Sequence, residues 1–159
     1  MLLTYFGEWS LDLWSLFLKF VRGELAKWSV LHWCCTLEKS GEGNLHVHLA
    51  LQFRLAVDRA STFFAWEGWK PNASSNDYLG VGLNKNPRFL QPSVDRGFFY
   101  VYADKEGTQR DSEGRVCVEG NRLPCWEKDA KKVTRYQVPG RWPQNLWQQH
   151  KLSHATYEH

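Results

Sequence analysis

The run Leu45-His-Val-His-Leu-Ala-Leu-Gln-Phe53 alternates between two sets of side chains: Leu45, Val47, Leu49, Leu51 and Phe53 against His46, His48, Ala50 and Gln52. Successive side chains of a strand point to opposite faces of a sheet. A strand here buries one wholly apolar face and presents two imidazoles together on the other. That single run commits the chain to a sheet with a core on one side and a polar cluster on the other.

The neighbouring segments fit around it. Leu2-Leu-Thr-Tyr-Phe6 is a short β-prone run ended by Gly7, which reads as a first strand. Ser10 suits an N-cap, and Leu13, Trp14, Phe17, Phe20 and Val21 recur at helical spacing up to Gly23. Lys27 to Glu38 reads as a second strand, and Ser40-Gly-Glu-Gly43 is turn chemistry. The second strand and the histidine strand therefore form a hairpin, with Glu38 entering the turn and His46 leaving it. Asp58 to Trp66 reads as a second helix capped by Asp58. Glu67 to Pro92 reads as loop, with one short strand around Tyr78 to Leu83. A third helix starts at Ser93 or Asp95, carries Phe98, Phe99, Val101 and Tyr102, and stops at Gly107. Thr108 to Gly120 is polar and suits a further hairpin, and Trp126 to His159 is basic and proline-interrupted. This order predicts an α+β fold, an antiparallel sheet with flanking helices in a split β-α-β, ferredoxin-like or RRM-like arrangement. A chain of 159 residues, 43% hydrophobic, can bury one sizeable core.

Twenty basic residues against 17 acidic give a net charge of +3, a lean towards an anionic partner. Most of the nine Trp, nine Phe and six Tyr are expected in the core, and a few exposed rings could stack on unpaired bases. Cys34, Cys35, Cys117 and Cys125 fit no zinc spacing and read as reduced thiols of an intracellular compartment. No segment is long and apolar enough to suggest a membrane span, and the start carries no secretory-signal pattern.

The chemistry-bearing residues fall into three groups. His46 and His48 supply two metal ligands from one strand face, and hairpin pairing returns Glu38 towards them. A His-His-Glu set with open positions suits a catalytic Mn²⁺, Mg²⁺ or Zn²⁺. Downstream, Tyr102, Lys105 and Glu106 stand at helical spacing on one face. There Tyr102 can serve as nucleophile, Lys105 can neutralise the phenolate, and Glu106 can reach a metal on the sheet. Tyr100, on another side of that helix, has no lysine three residues on. The third group, Trp66, Trp69, Lys70, Lys85 and Arg88, mixes rings with cations around the long loop. Such a surface can stack unpaired bases and hold phosphates, although Trp66 reads equally as core. Lys131, Lys132, Arg135 and Arg141 add basic charge near the end.

Three ordered motifs resemble those of the HUH endonuclease domain of replication initiator (Rep) proteins from circular single-stranded DNA viruses of the circovirus, geminivirus and crucivirus kind. Leu2-Leu-Thr-Tyr5 resembles the first motif. Leu45-His-Val-His-Leu49 is similar to the metal-binding H-U-H motif, and Tyr102-Ala-Asp-Lys105 to the Y-x-x-K nicking motif. Glu38 stands where the family places its metal-binding glutamate, and Glu106 where several members place another acidic ligand. The likeness spans roughly residues 1 to 110.

The resemblance implies an HUH endonuclease fold over residues 1–115, followed by a C-terminal extension or linker over 116–159. It implies a sequence-specific nickase using Mn²⁺ or Mg²⁺, with catalytic Tyr102 and Lys105 and metal ligands Glu38, His46, His48 and Glu106. Its substrate would be a single-stranded origin stem-loop, its intermediate a 5′-phosphotyrosine, and its setting rolling-circle replication in a host nucleus. Family members continue into a helicase and act with oligomer partners. No phosphate-binding G-x-x-x-x-G-K-[ST] occurs in this chain, so only the nuclease domain is expected here. Phe6-Gly7 also replaces the proline often found after the first motif. Two other readings use the same residues: a non-catalytic RRM-like nucleic-acid-binding module, and an HUH relaxase or transposase.

Overall fold

A computed structural model describes residues 1–54, 59–74, 98, 101 and 106–121. These make an α+β arrangement. Strand β1 (Leu2–Phe6) leads through helix α1 (Leu11–Glu24) to β2 (Val30–Lys39) and β3 (Leu45–Phe53), followed by a 3₁₀ turn (Ser61–Phe64), β4 (Asn72–Ser74) and β5 (Val118–Gly120). The strands form one sheet in the order β4-β1-β3-β2-β5, and every pairing is antiparallel. Because β3 lies between β1 and β2, those two run parallel, and α1 crosses over one face between them. No helix among the described residues is long and apolar enough to cross a membrane.

Helix α1 begins where its capping chemistry says it should. The Ser10 hydroxyl accepts a hydrogen bond from the Leu13 N–H at 3.2 Å, satisfying one of the orphan donors of the first turn. Trp14, Phe17, Leu18 and Val21 form its buried stripe. They pack on Leu3 and Tyr5 of β1, Trp33, Cys35 and Leu37 of β2, and Val47, Leu49 and Leu51 of β3. The odd-numbered residues of the three central strands thus make the core face. Two buried polar tips find partners: Tyr5 OH donates to the Phe64 carbonyl at 2.8 Å, and Trp9 Nε1 donates to the Tyr5 carbonyl at 3.0 Å, whereas Trp28 Nε1 is buried without one.

The even-numbered residues face the other way, and a second cluster lies there. Cys34, Ala50 and Val118 pack with Phe98 and Val101, with Leu2 at its margin. Phe98 and Val101 have helical backbone and are almost wholly buried.

Three local expectations change. Strand β2 starts at Val30, not at Lys27. The N–H groups of Trp28, Ser29 and Val30 instead turn back to the carbonyls of Glu24, Ala26 and Leu25, and Ser29 takes a positive φ of 54°. Closing the end of α1 takes precedence over extending the strand. The helix expected over Asp58 to Trp66 is only the 3₁₀ turn Ser61–Phe64, with extended backbone at Ala60 and Ala65 on either side. It stops at Phe64 because Ala65 is already extended, and Glu67 and Gly68 then take positive φ, 49° and 78°. That is the backbone of a tight two-residue turn, and Trp66 and Trp69 exchange backbone hydrogen bonds across it. Strand β4 was not expected: it pairs with β1 at Leu2, Leu3 and Thr4. Within the stretch Thr108 to Gly120, β5 joins the sheet by pairing with Cys34 to Thr36 of β2. The hairpin leading to β5 turns at Asp111 to Arg115, with Gly114 at φ 79°. Asp58 and the strand expected around Tyr78 to Leu83 lie outside the described residues.

Candidate metal centre

Register brings the site together. In the β2–β3 hairpin Glu38 pairs with His46 and Thr36 with His48. On the other side of β3, Phe6 pairs with His46 and Thr4 with His48. All six residues have even numbers, so all point away from α1. Each imidazole is therefore flanked from both neighbouring strands, one by a carboxylate and a ring, the other by two hydroxyls.

The three potential ligands converge. His46 Nε2 and His48 Nε2 face each other at 3.1 Å, and Glu38 Oε2 lies 3.5 Å from the first and 3.7 Å from the second. Three atoms so separated lie on a circle of about 2.0 Å radius, and divalent cations bind imidazole nitrogen and carboxylate oxygen at about 2.0–2.2 Å. One cation in this triangle would meet all three at bonding distance. The residues are 6–8% exposed. A carboxylate so far out of water needs a compensating positive charge. Among the described residues, Glu38, His46 and His48 are the group that could hold a metal ion. Three protein ligands leave coordination positions open for water or substrate.

The surroundings of the two imidazoles differ. His48 Nδ1 is 3.0 Å from the Thr4 hydroxyl, whereas His46 Nδ1 is buried with no hydrogen-bond partner. The exposed ring of Phe6 lies beside His46, centroids 5.8 Å apart.

The other candidates among the described residues, Glu106, Trp69 and Lys70, are not part of the converging group. Glu106 is exposed in the turn before Gly107 and is not one of the three converging residues. The Gly107 carbonyl accepts from the Lys39 N–H at 2.7 Å, and the Gln109 N–H donates to the Leu37 carbonyl at 2.9 Å. This segment thus lies along the outer edge of β2 beside Glu38. Trp69 is half-buried, edge-on to Trp9 and Trp66, and its ring lies over Gly7. Lys70 is exposed. Tyr102, Lys105, Lys85 and Arg88 lie outside the described residues. Tyr5 is no alternative nucleophile: it is buried on the α1 face, and burial, then the nearby Cys35 thiol, push its hydroxyl far above the ordinary tyrosine range. Burial likewise raises the Cys117 thiol to about 11, with the Asp111 carboxylate adding to the shift. Sequence reasoning did not pick out Thr4 or Phe6 as neighbours of the histidines. The alternation of Leu2, Thr4 and Phe6 was the available signal, but it acquires meaning only once β1 is set beside β3.

Compared with family models, curated proteins and solved structures, the chain matches none.

Proposed function

We propose that the protein is a metal-dependent enzyme that nicks and rejoins single-stranded DNA through a tyrosine, the activity its three motifs imply. The observation that carries this reading is the convergence of two imidazole nitrogens and one carboxylate oxygen on a triangle of metal-binding size, with open positions. A cation there, Mn²⁺ or Mg²⁺, supplies Lewis acidity to a phosphodiester oxygen.

In this reading the phenol oxygen of Tyr102 attacks phosphorus, forming an O–P bond as the P–O3′ bond breaks. The phenol proton is lost and the departing 3′ oxygen takes one up. The products are a 5′-phosphotyrosine and a free 3′-OH that primes synthesis, and the reverse transfer later closes a circle. Lys105 offsets the negative charge of the phenolate. Two features of the described residues support the assignment. Phe98 and Val101, just before the Y-x-x-K segment in sequence, pack on the sheet face that carries the histidines. Gly107, just after it, is hydrogen-bonded to Lys39, next to Glu38. Phe6 offers an exposed ring at the centre's edge, and aromatic rings hold unpaired bases irrespective of sequence. The cellular setting would be replication of a small circular genome in a host nucleus.

The test uses labelled random-sequence DNA displayed in hairpin loops, incubated with Mn²⁺ and run on a denaturing gel. A denaturant-resistant protein–DNA adduct should form, vanish with EDTA, and vanish in Tyr102→Phe while binding persists. An adduct surviving in Tyr102→Phe would disprove the nucleophile. Binding that ignores EDTA and never gives an adduct would favour the non-catalytic module.

A further inference from the structure

We propose that the Thr4 hydroxyl is the positioning partner of His48, holding its ring in place whether or not a cation is bound. The inference rests on the metal-centre reading above and concerns a residue on a different strand from all three ligands.

A neutral imidazole carries one N–H and one lone pair. With a cation on Nε2 the proton must sit on Nδ1, which then donates to Thr4 Oγ1 across 3.0 Å. Without a cation, Nε2 can carry the proton, facing Glu38 Oε2 at 3.7 Å and His46 Nε2 at 3.1 Å. Nδ1 is then a lone pair and the Thr4 hydroxyl turns to donate to it. The exchange balances: one proton leaves Nε2 for water and another reaches Nδ1 from water. A carbonyl or carboxylate could serve only the cation-bound form, because neither can donate. A hydroxyl serves both. Thr4 is placed for this by pairing directly opposite His48 in the β1–β3 ladder.

His46 has no counterpart, since its Nδ1 is buried without a partner. The centre is therefore asymmetric: Nδ1 of His48 has a partner outside the three ligands, and Nδ1 of His46 has none. Outer partners of ligating histidines are worth about 10–100-fold in metal affinity, and here that effect should fall on Thr4.

The experiment is Mn²⁺ titration calorimetry on the full chain for wild type, Thr4→Val, Thr4→Ser and the His46→Ala/His48→Ala pair. Imidazole ¹⁵N NMR of wild type, with and without Zn²⁺, accompanies it. Thr4→Val, nearly identical in shape, should bind Mn²⁺ about 10–100-fold more weakly, and Thr4→Ser should recover most of the loss. In the NMR spectra His48 should carry its proton on Nδ1 when Zn²⁺ is bound and gain an Nε2–H population without it. The inference is overturned if Thr4→Val binds like wild type, or if Thr4→Ser is as weak as Thr4→Val. It is equally overturned if wild-type His48 keeps one tautomer in both states. Wild-type binding that is lost only in the double-histidine variant would sink Thr4's role and leave the centre standing. Should wild type bind no cation, both fail. The NMR arm needs no variant, so a misfolded Thr4→Val does not shield the proposal.

Discussion

One glycine and one exposed ring show what individual residues contribute beyond the ligands. A Cβ at Gly107 would run into the Lys39 carbonyl, backbone that cannot swing aside. Gly107→Ala should therefore cost about 1–3 kcal/mol, read as a lower urea midpoint with unchanged slope. Phe6 is 58% exposed beside His46, and base–ring stacking is worth about 1–3 kcal/mol per base. Phe6→Ala should weaken single-stranded DNA binding by roughly that amount while leaving Mn²⁺ affinity intact, as fluorescence anisotropy and calorimetry would show. Unchanged DNA affinity would remove Phe6 from the contact surface. At this scale the sequence was informative where the signal was local. The imidazoles lie two residues apart, and the reach of Glu38 follows from counting across one turn. Thr4 and Phe6 escaped notice because their relation to the histidines depends on the register of strands far apart in the chain.

Among the elements, those with strong periodicity and explicit punctuation were legible. Strand β1 has the expected limits, and α1 opens at the expected Ser10 cap. Replacing that cap by Ser10→Ala should lower stability by about 1 kcal/mol, seen as a fall in thermal midpoint without loss of helix content. An unaltered midpoint would mean water substitutes for the hydroxyl. The elements that were misread had weak or misleading signals. Asn72–Ser74 contains no β-branched or aromatic residue, and such short edge strands owe their existence to a partner rather than to propensity. The aromatic run around Phe63 and Phe64 satisfies a helical pattern, yet Tyr5 OH takes the Phe64 carbonyl as its acceptor. The tight turn at Glu67-Gly68 then folds the chain back. Tertiary contacts decided that segment, and no window of sequence contains them.

For the molecule as a whole, a cation held by Glu38, His46 and His48 would link binding to folding. A ligand present at a hundred times its dissociation constant adds about 2.7 kcal/mol of stability when only the folded state binds it. Mn²⁺ at that excess should raise the thermal midpoint of wild type by several degrees, and EDTA should reverse it. His46→Ala with His48→Ala should be insensitive to both; a midpoint in that variant that still climbs with Mn²⁺ would place the ion elsewhere. The outer side of β2 has a different consequence. Its ten residues are flanked by Gly107 to Gln109 at one end and by β5 further along. A polypeptide cut before Glu106 would leave that long, apolar strand with bare donors and acceptors, a template on which other copies could add strand by strand. Gly107 to Gln109 and β5 thus cover the open side of the hairpin that carries Glu38, His46 and His48, and their removal should favour fibrils.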